Sequence, residues 1–169
     1  KRQVWVRTDA SGKVVESGWM RDPETNVATD DVNDRFAGRQ DVRLFARRDG
    51  TVMYTATVCC LPDDAIDDAD ATSAVSKVFR IEQGVYDTSL GRFEGTTMRS
   101  PTQAECEKNW CLFETSAGEL KCVYSWYPFV VGRFEVDTFV EEHRSTDIKV
   151  LRRARGSSHG VPHGDTLWF

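Results

Sequence analysis

The segments DVRLFARRDGTVMYTAT (41–57) and NWCLFETSAGELKCVYS (109–125) align with Leu-Phe in the same place and a glycine five residues after each Phe. Each reads as a strand, a tight turn and a second strand. Asp49-Gly50 and Ala117-Gly118 supply the turns, where glycine accepts the positive φ that hairpin loops demand. Asp41 to Gly50 is nine residues, and Asn109 to Gly118 is nine again. The same ruler fits QVWVRTDASG (3–12), followed by KVVES, and RGSSHGVPHG (155–164), followed by DTLWF. Four hairpins are expected, beginning at Gln3, Asp41, Asn109 and Arg155.

The intervals between these starts are 38, 68 and 46 residues, scattered around the roughly 40–50 residues of one propeller blade. The expected fold is therefore all-β. It is a partial β-propeller of about three blades plus the start of another, in a single domain over 1–169. A β-sandwich with short hairpins is the competing architecture. Helical periodicity is weak throughout. FVEEHRSTDIKVLRR (139–153) is the one stretch that reads as a short helix, although Ile148-Lys149-Val150 alternates like a strand. LPDDAIDDADATSAV (61–75) carries five aspartates but lacks the glycine and closing glutamate of a calcium loop, so it is expected to be a solvated loop.

Composition narrows the function. With 40% hydrophobic and 29% charged residues, the chain is an ordinary globular one. A net charge of −5 offers no global attraction to phosphate backbones or anionic lipid, which argues against nucleic-acid and membrane partners. No stretch reaches the roughly 18 consecutive apolar residues of a membrane span. The chain opens without Met and closes inside the strand-like GDTLWF, so a truncated propeller is expected. Cys59, Cys60, Cys106, Cys111 and Cys122 form no CxxC pair and are odd in number. They are expected to be reduced thiols packed as small hydrophobes, which favours a cytoplasmic location over a secreted one. A zinc site from Cys106, Cys111 and a histidine fits no common ligand spacing, and no metal or other cofactor is expected.

The strand starts are polar where a core strand should be dry. EKN (107–109) precedes WCLF, Gln40, Asp41 and Arg43 surround the start of the first Leu-Phe strand, and Arg155, Ser157, Ser158 and His159 precede Val161. In a propeller the first strand of each blade lines the central channel, so its first residues form the lip of a funnel. Strand alternation places Asp41 on a face with Arg43, Glu107 with Asn109, and Arg155 with Ser157 and His159. Carboxylates, cations and amides converging on one funnel suit a sugar. The competing assignment is a set of structural salt bridges, with Asp41 paired to Arg43 or Arg155. Trp110, Trp126 and Tyr127 are aromatic candidates either for stacking on a sugar or for the core.

GRQDVRLF, CEKNWCLF, YSWYPFVVGRF and RGSSHGV…GDTLWF, in that order, resemble a group of five-bladed propellers related to mannoside phosphorylases and β-mannosidases. Members occur in large viruses and microbes, sometimes beside glycosyltransferase domains. The resemblance covers roughly 36–169 and implies a glycoside hydrolase or phosphorylase-like protein acting on a mannose-like glycoside. It matches Asp41 and Arg43 to the family's Glu-Asp-x-Arg-Leu-Phe, Glu107, Lys108 and Asn109 to its Glu-Lys-Asn-Trp, and Arg155, Gly156 and Ser157 to its Arg-Gly-Ser. Asp41 is then the expected acid, working with Glu107. Arg43, Lys108 and Arg155 would hold phosphate or sugar oxygens, with Gln40, Asn109, Ser157 and His159 also on the substrate. The expected partners are carbohydrate, inorganic phosphate and a fused or associated glycosyltransferase. One departure matters: Gln40 stands where the family has glutamate, and glutamine hydrogen-bonds but does not ionise at neutral pH. A non-catalytic carbohydrate-binding propeller is therefore the alternative. GWMRDPETN (18–26) and AECEK (104–108) also resemble short motifs of invertase-type furanosidases.

Overall fold

Three of the four ruler glycines close the same turn. The computed structural model describes residues 4–19, 38–60, 78–156 and 158–169. In it the amide of Gly12 donates to the Asp9 carbonyl, Gly50 to Arg47 and Gly118 to Thr115, each at 3.0 Å. A second bond brackets each loop, from the amides of Asp9, Arg47 and Thr115 to the carbonyls of Lys13, Thr51 and Glu119, each at 2.9 Å. These glycines have φ of +83°, +86° and +82°, a conformation in which a Cβ is strained. The fourth hairpin turns more tightly, through Gly164 at φ +57° between the paired residues His163 and Thr166.

The strands in chain order are β1 Val4–Thr8, β2 Val14–Trp19, β3 Gln40–Ala46, β4 Val52–Cys60, β5 Val78–Asp87, β6 Arg92–Thr97, β7 Cys111–Glu114, β8 Leu120–Trp126, β9 Phe129–Glu135, β10 Thr138–Ser145, β11 Val161–His163 and β12 Thr166–Trp168. Strands β3 to β6 form one four-stranded antiparallel meander and β7 to β10 another. The pairs β1–β2 and β11–β12 stand as two-stranded hairpins. The all-β class and all four hairpins are as the sequence predicts. Among the described residues no sheet closes on itself. The stretch 139–153 is neither one helix nor one strand. It continues β10 and then turns through a short 3-10 helix, Lys149–Arg153. The aspartate-rich 61–75 and most of the furanosidase-like 18–26 lie outside the described residues.

The two meanders pack face to face. Phe45, Met53, Ile81 and Met98 meet Trp110, Leu112, Cys122, Val130 and Phe139 in one apolar cluster. The opposite face of the second meander is also dry: Cys111, Phe113 and Val123 pack with Trp126, Phe129 and Val131. The rings of Phe113 and Trp126 stand edge-on to Phe169, beyond the last hairpin. All four residues of β7 are consequently buried. Apolar residues thus pack on both faces of the second meander. The first meander likewise buries Tyr54, Ala56, Tyr86 and Phe93 on the face away from the shared cluster.

Polar contacts fix how the meanders meet. Glu114, buried at the end of β7, accepts from Nη2 of Arg47 at 3.2 Å and from the amide of Arg48 at 2.9 Å. Arg47 Nη2 also donates to the Gly118 carbonyl at 2.9 Å, so the two equivalent hairpin turns are tied together. The five cysteines form no disulfide with one another.

Gly132 in β9 tests the packing. A Cβ there would lie 2.0 Å from the Val140 carbonyl oxygen and 2.7 Å from the Phe139 ring. Gly132→Ala is expected to lower unfolding free energy by about 1–3 kcal/mol, read as a reduced urea midpoint.

Candidate functional site

The first residues of the two aligned repeats share an unusual backbone. Asp41 has φ +50° and Asn109 has φ +64°. Left-handed geometry disfavours most side chains but is tolerated by Asp and Asn, so the residue types and the bend agree. In β3 the bend is a bulge: Gln40 faces Thr57 and Arg43 faces Thr55, leaving one extra residue in β3. Asp41 is exposed and Gln40 half-buried.

The bulge and the bend end the simple alternation that the sequence suggests. Asp41 forms no ion pair among the described residues. Arg43 instead sends Nη2 across to Oδ1 of Asn109 at 2.9 Å, joining the starts of β3 and β7. Glu107 does not share a face with Asn109. Its side chain turns inward, 5% exposed, and accepts from Ser100 Oγ at 2.6 Å, Tyr124 OH at 3.1 Å and Trp110 Nε1 at 3.2 Å. Lys108 points to solvent between them.

The third strand start joins the other two. Gly160 donates its amide to the Leu112 carbonyl at 2.8 Å, and the Leu112 amide donates to Nδ1 of His159 at 2.9 Å. With Nδ1 accepting, the proton sits on Nε2, which lies 3.3 Å from the Arg43 carbonyl. His159 thus clips β7 to β3, with its ring edge-on to Phe45 at 5.8 Å. Burial pushes its pKa down to about 4. Burial outweighs the Arg43 carbonyl, which favours the charged ring, and the Arg43 guanidinium adds a smaller push downward. His159 is buried, with both ring nitrogens facing backbone partners.

Gly156 shows how closely this segment fits, since a Cβ there would sit 2.4 Å from Cys111 Sγ, 2.6 Å from Trp126 Nε1 and 2.9 Å from the Asn109 carbonyl. Arg155, beside it, is exposed. Ser157 lies outside the described residues. Of the aromatic candidates, Trp110 is core, 1% exposed and packed against Tyr124, Phe134 and Phe139. Trp126 packs on Phe129 and Phe169, and Tyr127 is covered by Arg152.

Sequence reasoning missed the supports of these strand starts. Arg39 donates Nε to Glu82 at 2.6 Å and lies over the Phe93 ring, while Tyr54 donates its hydroxyl to the same Glu82 oxygen. These bonds anchor β3 just before Gln40. Ser100 and Tyr124 hold Glu107 in the same manner. Arg39 and Tyr54 lie far from Glu82 in the chain, and Ser100 and Tyr124 stand at no regular strand spacing from Glu107, so no local signal marks these partners.

The groups left facing water are a carboxylate on Asp41, an ammonium on Lys108 and a guanidinium on Arg155, beside the half-buried Arg43–Asn109 pair. Groups of these types have the chemistry to meet hydroxyls and oxyanions. Among the described residues no group of three His, Cys, Asp or Glu side chains is arranged to hold a metal. No family model, curated protein or solved structure matches the chain.

The His159 clip requires a neutral ring, and its folded pKa lies below the unfolded value near 6.5. Its stabilisation is therefore complete above pH 6.5 and is lost as pH falls toward 4, amounting to about 3 kcal/mol. Melting temperature should fall over that window, and His159→Gln should flatten the slope there while lowering stability at neutral pH.

Proposed function

We propose that this chain is part of a carbohydrate-binding β-propeller whose strand starts form a polar mouth for a mannose-like glycoside. The observation that carries this is the Arg43–Asn109 bond, which joins two equivalent left-handed strand starts beside the exposed Asp41. Support for the propeller comes from two stacked meanders, from burial of β7 on both faces, and from the third repeat running along its free edge. On this view each meander is a blade, and β11–β12 begins the next. The five-bladed ring, and a glycosyltransferase alongside it, rest on the family resemblance.

Binding without cleavage is favoured by the two carboxyl positions the mouth lacks. Gln40 cannot ionise, and Glu107 is enclosed by three donors. Inverting hydrolysis by two carboxyls needs a second group about 6.5–9.5 Å across the sugar from the first. A phosphorylase reading survives on one observation. Asp41 is open to solvent as an acid, and phosphate held by Arg43, Lys108 and Arg155 would take the place of the second carboxylate.

Methyl β-mannoside titrated against the chain should broaden in NMR spectra at millimolar concentration, with no turnover of aryl mannosides. Arg43→Ala and Asp41→Asn should each weaken binding about fivefold or more, roughly 1 kcal/mol. Phosphate-dependent turnover abolished by Asp41→Asn would establish the phosphorylase reading instead. Absence of both binding and turnover would refute the carbohydrate site.

A further inference from the structure

Glu107 belongs to a motif whose neighbours face solvent, yet its own side chain is buried. Its backbone explains part of this. The Phe79 amide donates to the Glu105 carbonyl and the Glu107 amide to the Phe79 carbonyl, each at 2.8 Å, so residues 105–107 run as a short extra rung beside β5. The Glu107 carboxylate then collects donors from three places. Ser100 Oγ and Tyr124 OH reach Oε1, while Trp110 Nε1 reaches Oε2.

The contact to Trp110 is the informative one. It spans only three positions, so Glu107 and Trp110 are held side by side with Lys108 and Asn109 between them. Trp110 cannot shift, being wedged against Tyr124, Phe134 and Phe139. With both ends fixed inward, the two intervening residues must loop outward. Asn109 takes the left-handed bend, Lys108 is pushed into solvent, and the Asn109 amide oxygen is delivered to Arg43 at 2.9 Å. Ser100 extends the brace. Its hydroxyl accepts from the Ala104 amide at 2.9 Å while donating to Glu107, so the segment leading into the lip is pinned as well.

We infer that Glu107 is a positioning residue for the mouth: its buried carboxylate, bracketed by Ser100, Tyr124 and Trp110, sets the bend that presents Lys108 and Asn109. The ligand-binding consequence rests on the carbohydrate reading above. The effect on Asn109 does not.

The experiment compares Glu107→Ala and Glu107→Gln with wild type by two readouts, the Asn109 side-chain amide signals in a nitrogen–proton NMR spectrum and the affinity for methyl β-mannoside. Phe139→Leu serves as a packing control that lowers stability from the far side of Trp110. The expected result is a displaced Asn109 amide and about tenfold weaker sugar binding in Glu107→Ala. Glu107→Gln, which keeps one acceptor oxygen, should show a smaller displacement of the same sign, and it decides the matter should the alanine chain not fold. Phe139→Leu should melt earlier with the Asn109 amide in place. An unmoved Asn109 amide in the glutamine chain, or in a folded alanine chain, overturns the inference. So does turnover whose kcat collapses in Glu107→Gln with KM unchanged, since that marks a catalytic acid. Should wild type bind no mannoside, the carbohydrate reading fails while the amide signals still judge the positioning role.

Discussion

The constraint on which the structure depends is that β7, a strand of four residues, is dry on both faces and must have both edges satisfied. Leu112 faces the cluster shared with the first meander, while Cys111 and Phe113 face the opposite one. One edge is paired with β8. The other is served by the Leu112 amide and carbonyl, which take His159 and Gly160. A buried amide or carbonyl left without a partner costs about as much as a lost hydrogen bond, so the 155–160 segment is tied to this edge by necessity. Its approach is close enough that only glycine fits at 156, where a Cβ would overlap Cys111 and Trp126.

Around that strand three carboxylates are buried among the described residues, and each is matched by donors. Glu82 has Arg39 and Tyr54, Glu107 has Ser100, Tyr124 and Trp110, and Glu114 has Arg47 and the Arg48 amide. Buried ionic groups seldom add much net stability, because desolvation offsets the attraction. Their effect here is geometric. Glu82 and Glu114 join segments distant in sequence and Glu107 joins nearer ones, and together they fix β3 against β5, the segment before β7 against the core, and one hairpin turn against the next.

The polar strand starts divide when those demands are met. Glu107 and His159 have their polar groups consumed internally. Asp41 and Lys108 stay in water at or beside left-handed bends, and Arg155 is exposed as well. In EKNW the first and last residues are buried and hold the structure, while Lys108 is exposed and Asn109 half-buried.

The sequence by itself determined the all-β class, the four hairpins and their turns, since a glycine at a fixed distance from a paired strand is a local instruction that needs no tertiary context. It also marked where the polar strand starts fall. It did not reveal which of those polar side chains turn inward. Alternation placed Glu107 beside Asn109, but alternation holds only for a regular strand, and a left-handed residue breaks it. It did not reveal the partners of Glu107, Glu82 or Glu114 either, because packing brings those donors in: Tyr124 from β8, Arg39 from just before β3 and Arg47 from the turn after it. Whether a charge is buried depends on donors supplied from elsewhere in the chain, and only the tertiary structure decided that.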